Sequence, residues 1–162
     1  MRELVRRLLL AASAVPLMGA AQATGIVPDV SIADVAASCG GAVRHDEFVT
    51  LPRADQRTKL RCLLREASKR LNTKLPTRVE YTTLFERTNV AGTTMIYHFR
   101  ADVSLKEIKP GAMEAWKPTV RAKICATASM REIVSLGAAY RYVWLDHDGK
   151  FIDTLTVRSC PT

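Results

Sequence analysis

The sequence predicts an α+β fold, in which two helix-plus-β-hairpin units form a four-stranded antiparallel sheet packed against helices and braced by two disulfides. Three observations carry that expectation. Leu60, Leu63, Leu64, Ala67 and Leu71 recur at helical spacing. Two pairs of alternating apolar and polar segments each close over a glycine-bearing turn. Four cysteines, an even number, follow an N-terminal segment with the features of an export address.

The elements follow in chain order. Residues 24–30 read as an extended lead-in. Ser31 then opens a short helix with Ile32, Val35, Ala36 and Cys39 on one face, Asp34 completing an approximate capping box, and Gly40-Gly41 as the stop. The long helix runs from Arg53 to Asn72 between the start signals Thr50 and Pro52 and the stop Pro76. Two strands come next. In Arg78–Arg87, residues Val79, Tyr81, Thr83 and Phe85 share a face. In Thr93–Val103, Met95, Tyr97 and Phe99 face one way and Ile96 and His98 the other, with Asn89–Gly92 as the turn.

Lys109-Pro110-Gly111 breaks the chain. A helix over Met113–Ala126 carries Met113, Trp116, Val120 and Ile124 on one face and holds Pro118 near its start, where proline is tolerated best. A short helix over Ser129–Leu136 stops at Gly137. Strands Ala139–Leu145 and Lys150–Arg158 close the chain across Asp148-Gly149.

Composition bounds the function. The chain has 162 residues, a formal net charge of +8, 48% hydrophobic and 25% charged residues. That suffices for one domain with a core, excludes a wholly disordered chain, and is short for two ordinary domains. Residues 1–23 read as a signal peptide: Arg2, Arg6 and Arg7 form a basic start, Leu8 to Val15 an apolar core, and Ala21-Gln22-Ala23 a cleavage site. The apolar run is well short of the ~20 residues a membrane span needs, so no stable membrane insertion is expected. The first cysteine is Cys39, far from the cleavage site, so lipid attachment there is not expected. Removing those residues takes away three arginines and one glutamate, leaving 21 basic and 15 acidic side chains and a net charge of +6 on a single α+β domain, 24–162. A periplasmic or extracellular location follows.

In an oxidising compartment the cysteines pair. Cys39–Cys62 and Cys125–Cys160 are the expected bonds among three connectivities, because each closes a local unit. At ~100° per residue Cys62 points almost opposite the leucine face, so its bond would hold the first short helix on the outer side of the long one.

Motifs for catalysis are weak. Asp146 to Phe151 resembles part of a calcium loop, but with Gly149 as the sixth position the first and twelfth are Trp144 and Leu155, which offer no side-chain oxygen. His45, His98 and His147 form no metal-binding spacing. His45-Asp46-Glu47 reads as a polar loop. Ser38 and Ser135 lack a nucleophile-elbow context, and no phosphate loop is present. No catalytic residue, cofactor or metal is therefore expected.

The suggestive surface is a basic stripe, Arg57, Arg61, Arg65 and Lys69, recurring every four residues along the long helix. Its plain alternative is a solvated face whose long side chains cover apolar edge. The stripe points to an acidic surface on another protein, rather than to nucleic acid, for which aromatic interleaving is missing. The expected function is a non-enzymatic exported binding protein acting by protein–protein recognition, such as inhibition or immunity in the bacterial envelope. The alternative is an accessory structural subunit of a cell-envelope or secretion assembly, and the third reading is a small periplasmic hydrolase.

Overall fold

The computed structural model describes residues 35–41 and 44–161. The expected signal peptide, lead-in and start of the first helix lie outside the described residues. A helical turn over residues 35–39 ends at Gly40, whose φ of 85° is the left-handed stop that the glycine pair predicts. Then follow α1 (His45–Thr50), α2 (Arg53–Asn72), β1 (Thr77–Glu80), β2 (Thr83–Ala91), β3 (Thr94–Ala101), α3 (Ala112–Ala126), α4 (Ala128–Ser135), β4 (Ala139–Leu145) and β5 (Phe151–Val157).

The five strands form one sheet in the order β1-β2-β3-β4-β5, with every neighbouring pair antiparallel except β3 and β4, which run parallel. This corrects the expected four-stranded antiparallel sheet in two places. The segment expected as one strand from Arg78 to Arg87 folds back at Tyr81-Thr82, making β1 and β2 a hairpin. Its Val79-Tyr81-Thr83-Phe85 alternation is continuous, and no glycine, proline, asparagine or aspartate marks the turn. Tertiary contacts hold it instead. The Arg78 guanidinium donates to the Tyr81 carbonyl at 2.9 Å and to the Asp102 carboxylate at 2.8 Å. The second correction is the parallel pair. The chain between Ala101 and Ala139 carries α3 and α4, and a crossover of that length returns β4 to the end where β3 began.

The β2–β3 turn also sits later than Asn89–Gly92. Asn89 and Val90 pair in the ladder, and Gly92-Thr93 makes a two-residue turn with positive φ at its first position. A bulge between Phe85 and Arg87 shifts the inward face, so Phe85 and Thr88 both point to the core. His45-Asp46-Glu47, expected as a loop, opens α1. There Arg44 clasps Asp46 through two hydrogen bonds, which holds that carboxyl below its ordinary pKa.

The helices cover one face of the sheet. Leu60, Leu63, Leu64 and Leu71 of α2 are buried with Phe85, Met95, Tyr97 and Phe99, as the leucine spacing predicts. Ser68 and Thr88 share a 2.7 Å hydroxyl bond, and the Asn72 side chain both donates to and accepts from the Thr88 backbone, locking α2 to β2. On α3, Trp116 sets its ring 5.1 Å from Trp144, and Val120 and Ile124 are buried. Pro118 is the seventh residue of α3, inside the helix rather than in its first turn, and lies on the exposed side. Both disulfides form as expected, Cys39–Cys62 with 5.8 Å between Cα atoms and Cys125–Cys160 with 5.5 Å.

The β4–β5 turn rests on Asp146, which is 1% exposed. Its carboxylate accepts from the backbone N–H groups of Asp148 (3.0 Å), Lys150 (2.8 Å) and Leu105 (3.3 Å). These oxygens close the turn, so the calcium-like string is a structural clasp. Burial pushes the Asp146 pKa up, but the three N–H donors outweigh it and hold the group below its ordinary value. A depressed folded pKa contributes stability that is complete above the unfolded value of about 3.9 and is lost as pH falls through the folded one. Asp146→Asn is therefore expected to be less stable than the parent at pH 7, because its amide NH2 faces N–H donors. That gap should narrow at a pH well below the unfolded carboxyl value of about 3.9. Urea unfolding at both pH values measures it; an equal gap at both would assign the cost to packing alone.

Candidate functional site

The basic stripe lies on the outer side of α2. Arg57, Arg61, Arg65 and Lys69 are all exposed, and Arg57, Arg61 and Arg65 make no ion pair among the described residues. Lys69 reaches back to Glu66 at 2.6 Å. The structure divides the four. Arg61, Arg65 and Lys69 line one shallow groove of about 340 Å³ with Thr58, Cys62 and Glu66. Arg57 belongs to a second groove of about 220 Å³, where α2 meets Thr93 and the Leu136-Gly137 bend, beside Arg53.

Local sequence explains this placement. A four-residue step advances ~40° beyond a full helical turn, so a stripe of that period drifts around the axis, from beside the core at Arg57 to nearly opposite it at Lys69. Cys62 shares the outward side, and its bond to Cys39 carries the 35–41 segment onto α2 there. Cys62 itself lines the basic groove, and its sulfur lies 3.9 Å from the Ser38 carbonyl. An open groove with two unpaired guanidiniums suits a carboxylate-bearing surface, because each planar fork can grip a carboxylate with two hydrogen bonds. A larger depression, about 710 Å³ between α4 and Arg158–Pro161, is less selective. It sets Glu132 among its arginines, and Arg131 is engaged with the Cys125 carbonyl.

A second basic surface escaped sequence reasoning. The sheet face opposite the helices carries Arg87, His98, Arg100 and Arg141, interleaved with Ile96, Val143 and Leu145. The available signal was the alternation in β3 and β4, which sets Ile96, His98 and Arg100 in register with Arg141, Val143 and Leu145. His98 donates from Nε2 to the Asn89 side-chain oxygen at 2.7 Å. Burial, with Arg87 next, lowers its pKa, and Glu86 partly opposes them. His45, His98 and His147 sit on α1, β3 and the β4–β5 turn, and no group of three or more potential metal-ligating side chains occurs among the described residues. No helix among them is long and apolar enough to cross a membrane.

No protein-family model matches the chain, and no curated protein matches its sequence. Solved structures do match its fold. The pilotin EpsS of the Vibrio vulnificus type 2 secretion system superposes with a TM-score of 0.59 at 17% identity, covering 68% of this chain and 100% of that one. The type II secretion system pilotin AspS of Vibrio cholerae gives 0.53 at 19% identity, over 64% and 93%. A Pseudomonas aeruginosa protein provisionally described as secreted gives 0.57 at 15% identity, over 63% and 91%. The protein therefore shares its fold with two type II secretion pilotins and with a protein of provisional secreted status.

Proposed function

We propose that this protein is a non-enzymatic accessory component of a cell-envelope secretion assembly and acts by binding another protein. One observation carries the reading: the fold extends over 100% and 93% of two pilotin chains that belong to type II secretion systems. This supports the accessory-subunit alternative over inhibition or immunity. Two disulfides suit an exported location, since such bonds persist in oxidising compartments. The α2 groove, with Arg61 and Arg65 unpaired, is the contact surface we assign to an acidic partner.

Native size fractionation of detergent-solubilised envelope from the source cells tests the role. The protein should migrate in a discrete complex far larger than its 17.9 kDa. A free monomer under mild detergent overturns it. Arg61→Glu with Arg65→Glu should weaken that association by about tenfold or more while leaving the melting temperature nearly unchanged, since both side chains are exposed. Unchanged association with the double variant would move the contact off α2.

A further inference from the structure

We propose that the open face of the sheet is a second docking surface, which takes an acidic amphipathic helix of a protein partner. It goes beyond the assembly role proposed above and uses a different face from the α2 groove.

The first observation is that no element among the described residues covers this face at the centre of the sheet. All helices among the described residues that pack on the sheet do so on the Phe85–Tyr97–Tyr142–Trp144 side. Parallel strand pairs are ordinarily covered on both faces. Here the parallel pair β3–β4 leaves Ile96, Val143 and Leu145 part-exposed, with no described element over them.

The second observation is the charge set around those aliphatics. The cations of β2, β3 and β4 on this face are Arg87, Arg100 and Arg141, with no lysine, and Glu86 is the one acid among them. Glu86 is bound to Arg100, whose guanidinium also donates to the His147 carbonyl at 3.1 Å. Arg87 and Arg141 make no ion pair among the described residues. Arginine is enriched and lysine depleted at protein contact surfaces relative to the rest of the surface.

The third observation is spacing. Arg87 pairs across β2–β3 with His98, and Arg141 pairs across β3–β4 with Ile96. The two arginines therefore stand two strands apart and one side-chain row offset, about 12 Å. His98 and Ile96 of β3 lie between them, and Val143 stands beside Arg141 on β4, so the Ile96–Val143 diagonal passes between the two arginines. An α-helix with its side chains is about 10–12 Å across. One seated on Ile96 and Val143 would present glutamates on its two flanks to Arg87 and Arg141. Nucleic acid fits poorly, because the sheet's stacked aromatic rings all lie on the buried face.

Methyl NMR of the full chain tests the proposal. The probe is a synthetic helical peptide of about 15 residues, with leucines at i, i+3, i+4 and i+7 and flanking glutamates. Saturable shifts at Ile96 and Val143 are expected, with affinity falling about tenfold or more in Arg87→Glu, Arg141→Glu. The same peptide with lysine for glutamate should leave the spectrum unchanged. If the charge-reversed protein loses its native spectrum, Arg87→Gln, Arg141→Gln should weaken binding in the same direction. Absence of saturable shifts, shifts confined to the leucines of α2, or equal binding of the lysine peptide or of a single-stranded oligonucleotide would each overturn the proposal. None of these results touches the co-fractionation test, so the two readings fail separately.

Discussion

Phe99→Ala is expected to destabilise the protein by about 3–5 kcal/mol, the range for deleting a buried aromatic from a packed core. Phe99 is 1% exposed and sits at the centre of the aromatic row on the inner sheet face. Its ring is 4.8 Å from Phe85, 5.6 Å from Tyr142 and 6.2 Å from Trp144. Because β3 is the middle strand, one residue there contacts both the β1–β2 hairpin side and the β4–β5 side. Truncation removes the contacts that join the halves and leaves a cavity walled by large, rigid rings that cannot collapse into it. Urea unfolding should show a lower midpoint at unchanged slope. A loss below about 1 kcal/mol would show that the row packs independently on each side of β3.

Removing the Cys125–Cys160 disulfide, as Cys125→Ser with Cys160→Ser, is expected to cost about 3–4 kcal/mol. The bond closes a 35-residue loop, and the chain-entropy relation gives about 3.8 kcal/mol for that length. The loop contains α4, β4 and β5, so the bond ties the C-terminus to the end of α3 across half the sheet. Cys39–Cys62 closes 23 residues and should contribute slightly less, about 3.4 kcal/mol. Its loss should also loosen the 35–41 segment that it holds onto α2. Thermal unfolding of each double-serine variant measures the stability. Hydrogen exchange should show the second effect as faster exchange confined to residues 35–41 in the Cys39/Cys62 variant. Equal exchange throughout would detach that segment's position from the disulfide.

The candidate site was half legible. Arg57, Arg61, Arg65 and Lys69 were visible because a helix of 20 residues has a fixed period, and exposure follows from the leucines on the other side. Their division into two grooves was not, since the groove at Arg57 is walled by Thr93, Leu136 and Gly137, which are remote in sequence. The open-face arginines were also readable in parity, but not as a surface. Arg87, Arg100 and Arg141 come from three strands, and strand order with register brings them onto one face. The bulge at Glu86 adds to this, because it changes which residues of β2 point outward.

The sequence by itself determined the two long helices, both disulfides and the inward faces of β3 and β4. Leucine spacing set α2, alternation set β3 and β4, and Gly92 and Gly149 allowed two of the turns. These rest on interactions within a few residues, or on cysteines that close short loops. Tertiary structure alone decided the fifth strand, the parallel join and the open basic face. Tyr81-Thr82 carries no turn residue, and the turn is held from Asp102, whose N–H donates to the Thr82 carbonyl at 2.8 Å and whose carboxylate meets Arg78. β3 and β4 run parallel because α3 and α4 must both bury their apolar sides on the same sheet face before the chain returns. Each of those outcomes depends on where distant segments find cover from water, a balance that no local window of residues contains.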